Sequence, residues 1–126
     1  MRAVIIALAV LTLTGCAHSD PWSKRDTVLQ VTYTGMVVID AIQTSDIQYH
    51  DNLVEGGPIA RRVLGANPST SDTWQYLTTV AISHYLITRA LPAKWRPWWQ
   101  GVGIADETSA IFKNCANGLG KICEDW

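Results

Sequence analysis

Asp40, His84 and Glu107 stand where helical spacing asks for core residues, and a histidine with two carboxylates can do chemistry. The set could form a metal first shell or an acid–base group. Burying an unpaired charge is costly, so inward-facing side chains of this kind must pair, bond to neighbours or hold a metal. The patterns that would commit them to catalysis are missing. HExxH is absent, as are the Glu-x-x-His pairs from which helical bundles build di-metal sites. GxSxG is absent too, and Ser83 cannot point at the adjacent His84 from the same helix. Gly101-Val102-Gly103 follows no strand and leaves GxGxxG incomplete. The expected role of Asp40, His84 and Glu107 is therefore a buried polar cluster, an imidazolium set against carboxylates. A metal-binding or catalytic bundle built on the same three residues is the alternative. No catalytic residue, metal or cofactor is expected.

Cysteine supplies the other chemistry. Cys115 and Cys123 do not form a CxxC pattern, and the segment between them holds Gly118 and Gly120, so it can fold back on itself. In an oxidising compartment the pair is expected to bridge as a staple on the C-terminal tail; in a reducing one it would stay as two thiols. Cys16 has a different setting. Arg2 gives a positive start, Ala3 to Leu13 is an apolar run shorter than the roughly 20 residues a span needs, and small residues follow. This is the secretory order. Leu13-Thr14-Gly15-Cys16 resembles the lipobox of bacterial lipoproteins, over residues 1–16. The resemblance implies a diacylglyceryl group on the Cys16 thiol, cleavage before Cys16 and acylation of the new amine. Ala17, rather than Asp, at the next position implies the periplasmic face of the outer membrane. Each buried CH₂ contributes about 0.8 kcal/mol, so stable attachment needs more than one chain.

These residues need elements to hold them. Residues 1–15 are expected as signal peptide, 16–26 as a lipidated tether, and 27–126 as one helical domain of ordinary size. Losing Arg2 leaves 9 basic and 11 acidic side chains, net −2, with no basic arm, so nucleic acid is not an expected partner. Ser23 or Asp26 caps a first helix near Thr27 that runs through Val28 to about Ile47, with Gly35 weakening its middle. Its apolar residues are Val31, Tyr33, Met36, Val37, Val38 and Ile39, and Asp40 and Thr44 fall on the Tyr33 side. His50 to Ser71 is a connector punctuated by Gly56-Gly57-Pro58 and Asn67-Pro68, with one helical turn over Ile59 to Leu64. Its Arg61-Arg62 reads as a solvated pair, with a headgroup contact as the sharper alternative.

Ser69 with Asp72 reads as a capping box for a second helix, Asp72 to Leu91, ended by Pro92. Leu77, Val80, Ala81, His84 and Leu91 form its apolar stripe. A third helix runs from Pro97 to about Cys115, with Ile104, Glu107, Ile111 and Asn114 on one face. The fold class is all-α: a small three-helix bundle with an extra short helix in the connector. Trp95, Trp98 and Trp99 beside Lys94 and Arg96 suit a membrane–water interface, or equally an aromatic patch closing one end of the bundle.

A second resemblance covers residues 27–118. Asp40-Ala41-Ile42-Gln43-Thr44, Glu55, Pro58-Ile59, Gly65 and Asn67-Pro68-Ser69 are similar to small helical proteins of bacteriophages and prophages. The likeness continues in His84, Ile87, Leu91-Pro92, Arg96, Glu107 and Asn114. Those relatives often carry Glu-x-Asn-Pro in the connector, whereas this chain has Glu55-Gly56-Gly57-Pro58. The resemblance implies a compact helical unit near a membrane, of phage origin. Together the readings predict a non-enzymatic envelope lipoprotein, held by lipid on Cys16 and contacting an envelope protein in host-surface exclusion or lysis. A small multi-span membrane protein is the remaining alternative. It is disfavoured by Asp40, His84, Asp106 and Glu107, because a central charge costs about 2.5–3.5 kcal/mol on insertion scales.

Overall fold

The computed structural model describes residues 20–123, with Ile122 described in its backbone only. The expected signal peptide, Cys16 and most of the expected tether lie outside the described residues. Those described are all-helical: α1 (Lys24–Ser45), a 3₁₀ turn (Asp46–Tyr49), α2 (Pro58–Leu64), α3 (Thr70–Ala90), α4 (Arg96–Ala116) and a 3₁₀ turn (Lys121–Cys123). Three long helices and one short one thus meet the expectation of a helical bundle.

The helix ends follow local chemistry. Ser23 Oγ accepts from the Asp26 N–H at 3.1 Å and the Asp26 carboxylate accepts from the Ser23 N–H at 3.0 Å, a closed capping box. The first helix accordingly starts at Lys24, ahead of Thr27. Ser69 Oγ accepts from the Asp72 N–H at 3.1 Å and donates to the Asp72 carboxylate at 2.7 Å, which caps α3. Leu91 is extended before Pro92 and ends α3, and Pro97 sits in the first turn of α4. Gly118 and Gly120, with φ of 74° and 78°, turn the chain back after α4. There Cys115 and Cys123 form a disulfide.

α1 is the central element: it packs along α4 for most of its length and more briefly along α3, while α3 and α4 barely meet. The apolar core is small, made of Tyr33, Val37, Ala41 and Leu77 with Tyr76, Ala81 and Ile104 against it. Ile47, Pro68 and Leu119 are buried outside that cluster, and much of the remaining interior is polar. Gln43, Gln100, Thr73 and Thr88 are fully buried and Arg96 nearly so. Large apolar side chains face outward instead, among them Val28, Val31, Val38 and Ile42 on α1, Ile82 and Tyr85 on α3, and Trp98, Val102 and Phe112 on α4. Of the expected α3 stripe, Leu77 and His84 are buried, whereas Val80, Ala81 and Leu91 are half-buried and Thr73 and Thr88 complete the inner face.

Candidate functional site

The inward residues of the long helices recur at steps of three and four: Asp26, Gln30, Tyr33, Val37, Ala41 and Thr44 on α1, and Arg96, Gln100, Gly103, Glu107, Ile111 and Asn114 on α4. Thr73, Leu77, His84 and Thr88 face them from α3. This seam has three levels.

At the level where α1 and α4 begin, Arg96 is the hub. Its guanidinium donates to the backbone carbonyls of Leu91 (3.0 Å), Pro21 (3.0 Å) and Asp20 (3.1 Å), and reaches the Asp26 carboxylate at 3.4 Å. Burial pushes the Asp26 carboxyl up, but hydrogen bonds from Ser23 and Arg96 more than offset it and hold it below its ordinary value. Next to it the Gln100 side-chain N–H₂ donates to the Asp26 carbonyl at 2.9 Å and to Gln30 Oε1 at 3.4 Å. Thr88 donates to the His84 carbonyl at 2.7 Å and contacts Gln30 Oε1 at 3.4 Å.

At the middle level the His84 ring lies flat between two aromatic rings. Its centroid is 3.7 Å from that of Tyr33 and 5.3 Å from that of Trp99, with planes within about 21°. Gly103 makes room for the stack: a Cβ there would stand 2.8 Å from His84 Nε2 and 2.9 Å from Tyr33 Cε2. Both ring nitrogens are buried with no hydrogen-bond partner among the described residues. Burial pushes the imidazole down to about 4, and the Trp99 backbone pulls weakly the other way without making a hydrogen bond. His84 is thus a neutral, stacked ring, and the expected imidazolium–carboxylate contact is not among its interactions.

At the third level Asp40 accepts from Asn114 Nδ2 at 2.7 Å and from Thr44 Oγ1 at 3.4 Å. Burial and the charge of Glu55 raise its carboxyl to about 6, against those two hydrogen bonds. Glu107 is buried, and burial followed by the charges of Asp40 and Asp106 takes it up to about 7. The Tyr33 phenol is pushed up by burial and by Glu107. Beyond Asp40, Gln43 accepts from Asn114 at 3.3 Å and contacts both disulfide sulfurs at 3.2 Å. Asp40, His84 and Glu107 therefore line one seam, with the two carboxyls in one electrostatic field and His84 set apart between aromatic rings. Among the described residues no three His, Cys, Asp or Glu side chains gather as metal ligands would. A shallow, open depression of about 480 Å³ where α2 meets α3, lined by Val63, Leu64, Asp72, Gln75, Tyr76 and Thr79, holds none of the three.

The seam has a pH signature. Glu107 moves from 4.5 when unfolded to about 7 when folded, so its contribution to stability is complete below pH 4.5 and is lost as pH rises through about 7. Asp40 acts alike between 3.8 and about 6. His84 runs the other way: folded at about 4 against 6.5, it favours the fold above pH 6.5 and withdraws that support as pH falls toward 4. Net stability is expected to rise as pH falls from about 8 to about 4.5, because two raised carboxyls oppose one depressed imidazole. Glu107→Gln should stabilise the fold by about 2–3 kcal/mol near pH 8 and flatten that rise. Urea midpoints at both pH values measure it; a variant less stable at pH 8 with an unchanged slope would refute the assignment.

Asp26, expected only as a helix cap, and Gln30, Gln100 and Arg96 join Asp40, His84 and Glu107 in the interior. The available signal was polar residues at steps of three and four on two helices at once. Compared with protein-family models, with curated proteins and with solved structures, the chain matches none.

Proposed function

We propose that the chain is a non-enzymatic envelope lipoprotein, tethered by lipid on Cys16 at the periplasmic face of the outer membrane. We further propose that it is phage-encoded and contacts an envelope protein of the host in exclusion or lysis. The observation that carries the reading is Leu13-Thr14-Gly15-Cys16 closing a short secretory leader. Two features of the fold support it. The Cys115–Cys123 disulfide suits an oxidising compartment. The exposure of Val28, Val31, Trp98, Val102 and Phe112 suits a bundle that works against lipid or another protein. No helix among the described residues is long and apolar enough to cross a membrane. The seam offers buried, stacked or hydrogen-bonded groups where an enzyme would need an open cleft.

Labelled palmitate is expected to enter the full-length chain and fractionate with the outer membrane, and a Cys16→Ser chain should take up none. Unlabelled wild-type protein, or a cytosolic precursor, would refute the lipoprotein reading. The envelope role has its own test. Expression in a susceptible host should change phage adsorption or lysis timing, and no change in either would refute it.

A further inference from the structure

The bundle has one end where positive charge and exposed tryptophan gather. α1 begins there, α3 finishes there and α4 begins there. The Ala93 N–H donates to the Asp20 carboxylate at 2.8 Å, and Arg96 ties Asp20, Pro21, Asp26 and Leu91 together. Trp22 sits edge-on to Tyr85 at 5.8 Å, with Arg89 and Arg96 at 5.1 Å and 5.6 Å from its ring. With Arg96 spent on Asp26, this end still carries Lys24, Arg25, Arg89 and Lys94 against Asp20, a net +3 on a chain of net −1. Lys24, Arg25 and Lys94 are exposed. Trp95 and Trp98 are 54% and 72% exposed, and Lys94 Nζ lies 5.8 Å from the Trp95 ring. Lys24 and Arg25 do not serve their helix: they occupy the first turn of α1, where the macrodipole disfavours cations.

We infer that this end is a docking surface for the anionic headgroup layer of a phospholipid bilayer. Two observations choose that occupant. Cations with exposed tryptophan match a headgroup layer, where both are favoured. The chain also leads from Cys16 into this end: Asp20 is held there, four residues on, a reach of about 14 Å at full extension. The second point rests on the lipoprotein reading. A lipid on Cys16 would hold the basic end within little more than a Debye length of the membrane, where its charge acts on the headgroups.

The test uses the chain from Ala17 onward, which keeps every described residue and lacks leader and lipid. Its failure is separate from failure of palmitate labelling. The probes are phosphatidylcholine vesicles with and without phosphatidylglycerol, followed by co-sedimentation and tryptophan emission. Binding is expected only with phosphatidylglycerol, weakening as salt rises, with a blue shift of the emission. Lys24→Glu/Arg25→Glu/Lys94→Glu should lower partitioning at least about tenfold. Arg61→Glu/Arg62→Glu, on α2, should leave it unchanged, and circular dichroism confirms that each variant keeps its helices. Trp95→Ala/Trp98→Ala should remove the blue shift. No binding at low salt, equal binding to neutral vesicles, or loss only in the Arg61/Arg62 variant would overturn the inference.

Discussion

Arg96→Ala is expected to destabilise the fold by about 3–5 kcal/mol, the cost of breaking a buried ion pair by removing one partner. The residue is 1% exposed and serves four acceptors on three segments: Asp20 and Pro21 ahead of α1, Asp26 within it, and Leu91 at the end of α3. Removing it leaves the Asp26 carboxylate buried without its cation and three carbonyls short of a donor. Arg96→Lys keeps the charge but lacks the planar fork that reaches several acceptors at once, so it should fall between wild type and alanine. Asp26→Asn/Arg96→Met removes both charges and should recover part of the loss, because the largest share of the penalty is the orphaned carboxylate. Urea denaturation of all four chains measures this. An alanine variant within about 1 kcal/mol of wild type would show that the hub does not hold the bundle together.

The second large effect is a difference in sign between two helical glycines. Gly35 is exposed on α1 with nothing within 4 Å of an added Cβ, so Gly35→Ala should stabilise by about 1 kcal/mol through helix propensity alone. Gly103 on α4 meets His84 and Tyr33 at 2.8–3.0 Å. Those rings are buried and stacked on each other and cannot swing away. Overpacking of this kind costs about 1–3 kcal/mol, which should outweigh the same propensity gain. Gly103→Ala should therefore lower the midpoint that Gly35→Ala raises. The disturbed stack should also appear as a change in near-ultraviolet circular dichroism, since Trp99 flanks the same imidazole. Two stabilising substitutions would mean that the stack yields easily.

Much of the fold was legible in short stretches. Ser23 with Asp26, Ser69 with Asp72, Leu91-Pro92, Pro97 and Gly118 mark helix ends by chemistry that acts within a few residues, and those ends stand within a few positions of expectation. The polar residues along the inner faces were legible in part. Helical spacing turns Asp40, His84 and Glu107 inward, and they are buried or half-buried. Their relations were not legible. His84 meets Tyr33 from α1, Asp40 meets Asn114, and Glu107 feels Asp40, all across gaps of fifty or more residues, and His84 also meets Trp99 from the following helix.

α1 shows where local reading ends. Val28, Val31, Gly35, Val38 and Ile42 recur at steps of three and four and would make an apolar inner stripe; Asp26, Gln30, Tyr33, Val37, Ala41 and Thr44 recur at the same steps on the other side. Periodicity fixes that α1 is a helix with two faces and is silent on which one turns inward. The sequence by itself determined the helices and their caps, because each depends on neighbours along the chain. The tertiary structure alone decided that the face carrying Asp26, Gln30 and Thr44 along with Tyr33, Val37 and Ala41 is the inner one. That choice depends on complementary groups meeting across helices: Arg96 with Asp26, Gln100 with Gln30, Asn114 with Asp40. A buried polar group is tolerated only where its partner arrives, and its partner is set by packing rather than by anything nearby in the chain.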